Sequence, residues 1–199
     1  MTSEAQPERW LLISTSASGA PDTLRVHVWR KLRSLGAAYL QQSVCLLPGR
    51  PDVVREIQRL SDRIRHQGGA IRVLSIAFTD PVEEQALIAE FNAARDAEYA
   101  EVLDRLPERR KELACERSRG NATYAEVEES EADLERFRRW LAKIANRDYF
   151  TAAGGQAVRD AVAQAATELA AFEDAALRAE APDRPLTTRA TPIRAVDGS

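Results

Sequence analysis

Between Arg9 and Asp80 the apolar residues of this chain switch repeatedly between two spacings; beyond Asp80 they keep one. Arg9 to Ser16, RWLLISTS, is a short apolar run of strand length, closed by a turn at Ser18-Gly19-Ala20-Pro21. Leu24, Val28, Leu32 and Leu35 then recur at steps of four, four and three. That spacing predicts a helix, with Asp22 as its N-cap and Gly36 just past its end. Ala37 to Gln42 and Val44 to Pro48 read as two strands of a hairpin bent at Gln41-Gln42-Ser43. Asp52 is placed to cap a second helix, whose apolar stripe is Val53, Ile57, Leu60 and Ile64, and Gly68-Gly69 ends it. Ala70 to Phe78 alternates as a strand does, and Thr79-Asp80-Pro81 closes the unit.

The order is β-α-β-β-α-β, the pattern of ferredoxin-like α+β folds. One sheet and two helices would bury Leu11, Ile13, Leu32, Leu46, Ile57, Leu60, Val73 and Ile76 between them. Residues 81–180 read as a helical region. A helix over Val82 to Leu106 is expected to end or kink at Pro107. A charged segment follows, with a break at Gly120-Asn121, and then a helix from Glu129 to Arg147. The last helix, Gln156 to Leu177, carries Val158, Val162, Ala165, Leu169, Phe172 and Ala176 in a 4-3-4-3-4 spacing suited to close packing on a neighbouring helix. The expected organisation is therefore a ferredoxin-like domain over 1–80, helices over 81–180 and a disordered tail over 181–199, where three prolines interrupt any period.

Charge divides the chain in the same places. Residues 1–72 hold eleven Lys+Arg against six Asp+Glu, net +5, whereas residues 73–180 hold fourteen against twenty-three, net −9. A protein of net charge −3 can thus carry a positive surface on its front half. No run of apolar residues is long enough for a membrane span, and the N-terminus shows no secretory pattern, so a cytoplasmic location is expected. The two cysteines, Cys45 and Cys115, are far apart, which argues against a disulfide framework or a cysteine zinc site.

Catalytic patterns are absent. There is no P-loop, HExxH, GxSxG or GxGxxG, and the two histidines, His27 and His66, are widely separated. Gly154-Gly155 follows no strand, so it is a poor phosphate cradle. Acidic pairs such as Glu128-Glu129 and Glu131-Asp133 read as helix-end solvation rather than a metal site. Cys45 sits in an apolar strand and reads as a small hydrophobe, while Cys115 has Lys111, Arg117 and Arg119 around it, offset by Glu112 and Glu116. No cofactor or metal is expected. The first helix is the unusual feature. Arg25, Arg30, Lys31 and Arg33 stand on it with no acidic residue after Asp22, and Arg25, Trp29 and Arg33 share one side at i, i+4, i+8. The helix dipole accounts for Lys31 and Arg33 but not for Arg25 and Arg30. Such a face is either merely solvated or holds phosphates and other oxyanions, with Trp29 supporting the arginines or packing inward.

Four blocks in order, RWLLIS, VHVWRKLRSLGAAYLQQSVCLLP, FNAARDAEYAEVLDRL and LAKIANRDYFTAAGGQAV, resemble the N-terminal domain of the chromate resistance protein ChrB family, over roughly residues 9 to 178. The resemblance implies a cytoplasmic, non-enzymatic transcriptional regulator. Such a protein binds the promoter of a chromate resistance operon and releases it when the chromate oxyanion is present. It places DNA binding on the N-terminal region, which assigns Arg25, Arg30, Lys31 and Arg33 to DNA, with a homodimer pairing two basic helices through the last helix or a sheet edge. The family's usual C-terminal domain, with which chromate sensing is associated, is not part of this sequence, so no chromate site is transferred. An accessory module acting on a full-length ChrB-type partner is the alternative, followed by a metal-dependent or redox enzyme.

Overall fold

The computed structural model describes residues 9–16, 21–118 and 124–180. The expected turn at 18–20, the break at Gly120-Asn121 and the tail over 181–199 lie outside them, as does the side chain of Cys115. Four strands and two helices open the chain: β1 (Trp10–Ser16), α1 (Asp22–Ser34), β2 (Ala38–Gln41), β3 (Val44–Pro48), α2 (Pro51–His66) and β4 (Ala70–Ile76). The sheet order is β2-β3-β1-β4 with every pairing antiparallel, which is the ferredoxin-like arrangement. Three long helices follow, α3 (Pro81–Ser118), α4 (Tyr124–Ala145) and α5 (Gly154–Glu180). Among the described residues no helix is long and apolar enough to cross a membrane.

Register explains the first core. Trp10 pairs with Pro48 and Ile76, and Ile13 with Cys45 and Val73, so alternate residues of β1 serve opposite faces. Leu11 and Ile13 are buried together with Leu24, Val28 and Leu32 of α1 and Val53, Ile57, Leu60 and Ile64 of α2. Val73 and Ile76 are half-buried at its margin. On the other face the Trp10 ring packs against Phe78, Phe91 and Phe150, with centroids 5.5–5.8 Å away, and its indole N–H donates to Glu84 at 2.7 Å. The second core lies among the long helices, where Tyr99, Val102 and Leu106 of α3 meet Ile144 of α4 and the full 4-3 stripe of α5. α3 therefore feeds both cores: Leu87 and Phe91 serve the first, and Tyr99 onward the second.

Several boundaries differ from the sequence expectation. α1 starts one residue early and α2 two, with Pro21 and Arg50 as N-caps and no side-chain cap bond in either. Proline pre-sets the helical φ and has no N–H to satisfy, so a helix can begin beside it without a capping side chain. Asp22 and Asp52 sit in the first turns, where the dipole favours an anion. α3 does not end at Pro107 but runs to Ser118, because an internal proline removes a single ladder bond and the turns on either side keep theirs. The α5 stripe is consumed inside the chain against α3 and α4, so it cannot serve as the contact between two copies.

Candidate nucleic-acid interface

The 4-4-3 stripe turns Leu24, Val28 and Leu32 into the first core, which necessarily puts the residues between them on the outside of α1. Arg25, Trp29, Arg30 and Arg33 are all exposed. Trp29 does not pack inward: it is 47% exposed, and the Arg33 guanidinium lies over its ring, 5.1 Å from the centroid. Among the described residues Arg25 makes only a long 3.8 Å contact with Asp22 of its own helix, both groups well solvated. No carboxylate of the described residues stands within ion-pair distance of Arg30 or Arg33.

Lys31 departs from this row. Its ammonium donates to Glu56 of α2 at 2.5 Å, and the same carboxylate accepts from Arg59 at 2.6 Å. The Lys31 hydrogen bond and charge, with Arg59 behind them, hold the Glu56 carboxyl below its ordinary range. Of the four cations that the sequence places on the first helix, three stand in solvent and one is engaged by a neighbouring helix.

The C-terminal end of α1 is gripped by residues that sequence reasoning missed. Gly36, at φ +73°, lets the chain leave the helix, and a side chain there would meet Arg95 Nη1 at 2.5 Å. The Tyr149 hydroxyl donates to the Leu35 carbonyl at 2.8 Å, satisfying one of the helix's terminal acceptors. Arg95 is buried against this negative end of α1. Its Nη2 donates to Glu98 at 3.1 Å, while Nε and Nη1 have no acceptor among the described residues. Arg147 reaches the same Glu98 carboxylate at 2.7 and 3.2 Å. Arg50 donates to the Tyr149 carbonyl and stacks over the Tyr149 and Phe150 rings. Burial, then the nearby Asp52 charge, pushes the Tyr149 phenol up to about 12, so it remains a donor. The segment Asn146 to Phe150, polar and aromatic between two helices, was the available signal.

The glycine pair and Cys45 have places in the packing. Gly154 donates its N–H to Asp96 at 2.7 Å and Gly155 packs on the Tyr99 ring, so the glycine pair serves helix entry. Cys45 is buried and its thiol is pushed up to about 11, far from a thiolate at neutral pH. Among the described residues no three His, Cys, Asp or Glu side chains are grouped to hold a metal ion.

A sequence profile of the family described as Protein ChrB, N-terminal, matches residues 25–182. The chain belongs to the ChrB family. The match to the ChrB N-terminal profile starts at Arg25, on the exposed face of α1, and takes in the second core and all of the first except the part supplied by β1 and Leu24. The chain is 31% identical over 105 residues to Protein ChrB of Cupriavidus metallidurans, an alignment covering 53% of this chain and 32% of that protein. It therefore spans about a third of that ChrB relative's length. No solved structure matches the chain.

Proposed function

We propose that this protein is a cytoplasmic, non-enzymatic DNA-binding regulator of a chromate resistance operon, and that α1 is the element that meets DNA. The chromate setting comes with the ChrB family. The observation that supports the DNA reading is the solvated row of Arg25, Arg30 and Arg33, which no carboxylate of a later helix neutralises among the described residues. Guanidinium groups spaced along a helix suit successive phosphates, and the dipole at the helix end adds nothing that would hold Arg25 or Arg30 there. Lys31 is held by Glu56 and contributes less. Two copies would present paired α1 helices; with α5 spent in the second core, a free sheet edge is the place for that contact.

The test is a gel-shift on the DNA upstream of the protein's own gene, over a salt series, with and without chromate. Arg25→Ala with Arg30→Ala should flatten the dependence of log K on log salt by about two phosphate contacts. An unchanged slope in the folded double variant removes α1 from the interface.

A further inference from the structure

A cleft of about 710 Å³ opens between α1 and the end of the sheet where β1 and the β2–β3 turn meet. Its size falls within the range of small-ligand sites, roughly 300–1,000 Å³. The buried stripe of α1 and Cys45 form its inner wall. Trp29 and Tyr39 stand on its rim, Ser14, Gln42 and Ser43 supply hydroxyl and amide groups, and Arg25 lies at its side. Both aromatic side chains remain substantially open to solvent, Trp29 at 47% and Tyr39 at 39%. Burial in the first core does not explain either of them.

The combination narrows the ligand. A small oxyanion would use the arginines but leave two aromatic faces idle. An apolar peptide would use the aromatics but meet a rim of cations, with Arg33 stacked over Trp29. A nucleotide uses every part: a flat base with apolar faces, a polar edge and an attached phosphate. Stacking between guanidinium, indole and base is a recurrent mode for unpaired strands.

We propose that this cleft receives an unstacked base of a single DNA strand, with Trp29 and Tyr39 against its faces and Gln42 and Ser43 at its polar edge. Arg25 and Arg33 hold the flanking phosphates. This rests on the DNA reading of α1 and adds to it a preference for unpaired or distorted DNA.

Fluorescence anisotropy of the full chain with a labelled oligothymidylate, and with a duplex of equal length, separates the two. Wild type should bind both. Tyr39→Leu should weaken single-strand binding about tenfold and leave duplex binding within twofold, since one base stack contributes on that scale. Trp29→Ala should weaken single-strand binding at least fivefold more than duplex binding, and Trp29→Phe should recover most of the loss. Neither side chain belongs to the buried stripe, so the fold survives both changes. A wild type that binds duplex but no single strand overturns the cleft and leaves the α1 reading standing. Equal losses on both substrates also overturn it. Single-strand binding that needs Tyr39, with no duplex binding at all, supports the cleft and removes the α1 reading.

Discussion

The arginines of α1 and those at the junction between the two cores are the same residue in opposite circumstances. Arg25, Arg30 and Arg33 stand in water with no carboxylate of another helix beside them among the described residues. Arg95 and Arg147 share the single carboxylate of Glu98 and are largely withdrawn from solvent, at 8% and 18% side-chain exposure. A count of charges treats the two groups alike. The difference lies in what surrounds them: an exposed guanidinium is free to exchange water for an external anion, whereas a buried one is committed to internal partners. In the proposed reading the first group meets DNA, and the second is a fastening that fixes where the first can point.

That contrast is broken most forcefully at Glu98. Glu98→Ala leaves two guanidinium groups facing each other without their shared counter-charge, and should cost about 3 kcal/mol of stability in urea unfolding. Arg95→Met, which removes a cation with two nitrogens that have no acceptor among the described residues and keeps most of its volume, should stay within about 1 kcal/mol of wild type. If the two variants lose equal amounts, the junction is held by packing rather than by its ion pairs.

A smaller effect is expected at Tyr149. Tyr149→Phe removes the hydroxyl that the Leu35 carbonyl accepts and should cost about 1 kcal/mol. DNA affinity should fall with no change in salt slope, because α1 keeps all its cations and loses only its fixed end. A changed slope would place Tyr149 in the interface itself.

The smallest effect sharpens the comparison at Lys31, the one α1 cation that behaves like a junction residue. Glu56→Gln should release it and steepen the salt slope by about one contact. Because Lys31 lowers the folded-state pKa of Glu56, the pair's stabilisation is complete above the unfolded carboxylate pKa. It is lost as pH falls through the lower folded value. Denaturation midpoints followed from pH 7 into acid should therefore lose an increment in wild type that Glu56→Gln lacks. Parallel declines would mean that the pair contributes nothing.

Local periodicity made much of this fold legible. The changes of spacing located all four strands and both early helices, Gly36 and Gly68-Gly69 marked real helix ends, and the 4-3 spacing of α5 identified a buried stripe. These signals are carried by neighbours in sequence, so they survive without coordinates. The passage of α3 through Pro107 was not legible, since a proline's cost is local while the gain that outweighs it comes from the rest of the helix. At the interface, Arg25, Arg30, Lys31 and Arg33 could be grouped by helical spacing, but the diversion of Lys31 depends on Glu56, twenty-five residues away on another helix. Tyr149 lies 114 positions from the carbonyl it holds, and no pattern within either segment announces that meeting. The cleft was hidden for the same reason: Trp29, Tyr39 and Ser14 come together only when the sheet closes.

The double service of α3 has a bearing on how the molecule comes apart. Phe91 caps the Trp10 ring and Tyr99, two turns further on, is sealed in the helical core. A cut placed after Asp80, where the composition changes, would strip Trp10 of two of its aromatic neighbours and leave the sheet with a greasy wound. Heat or denaturant should accordingly dissolve both halves in one cooperative step, and a protease should find no intermediate in which the arginine helix survives alone.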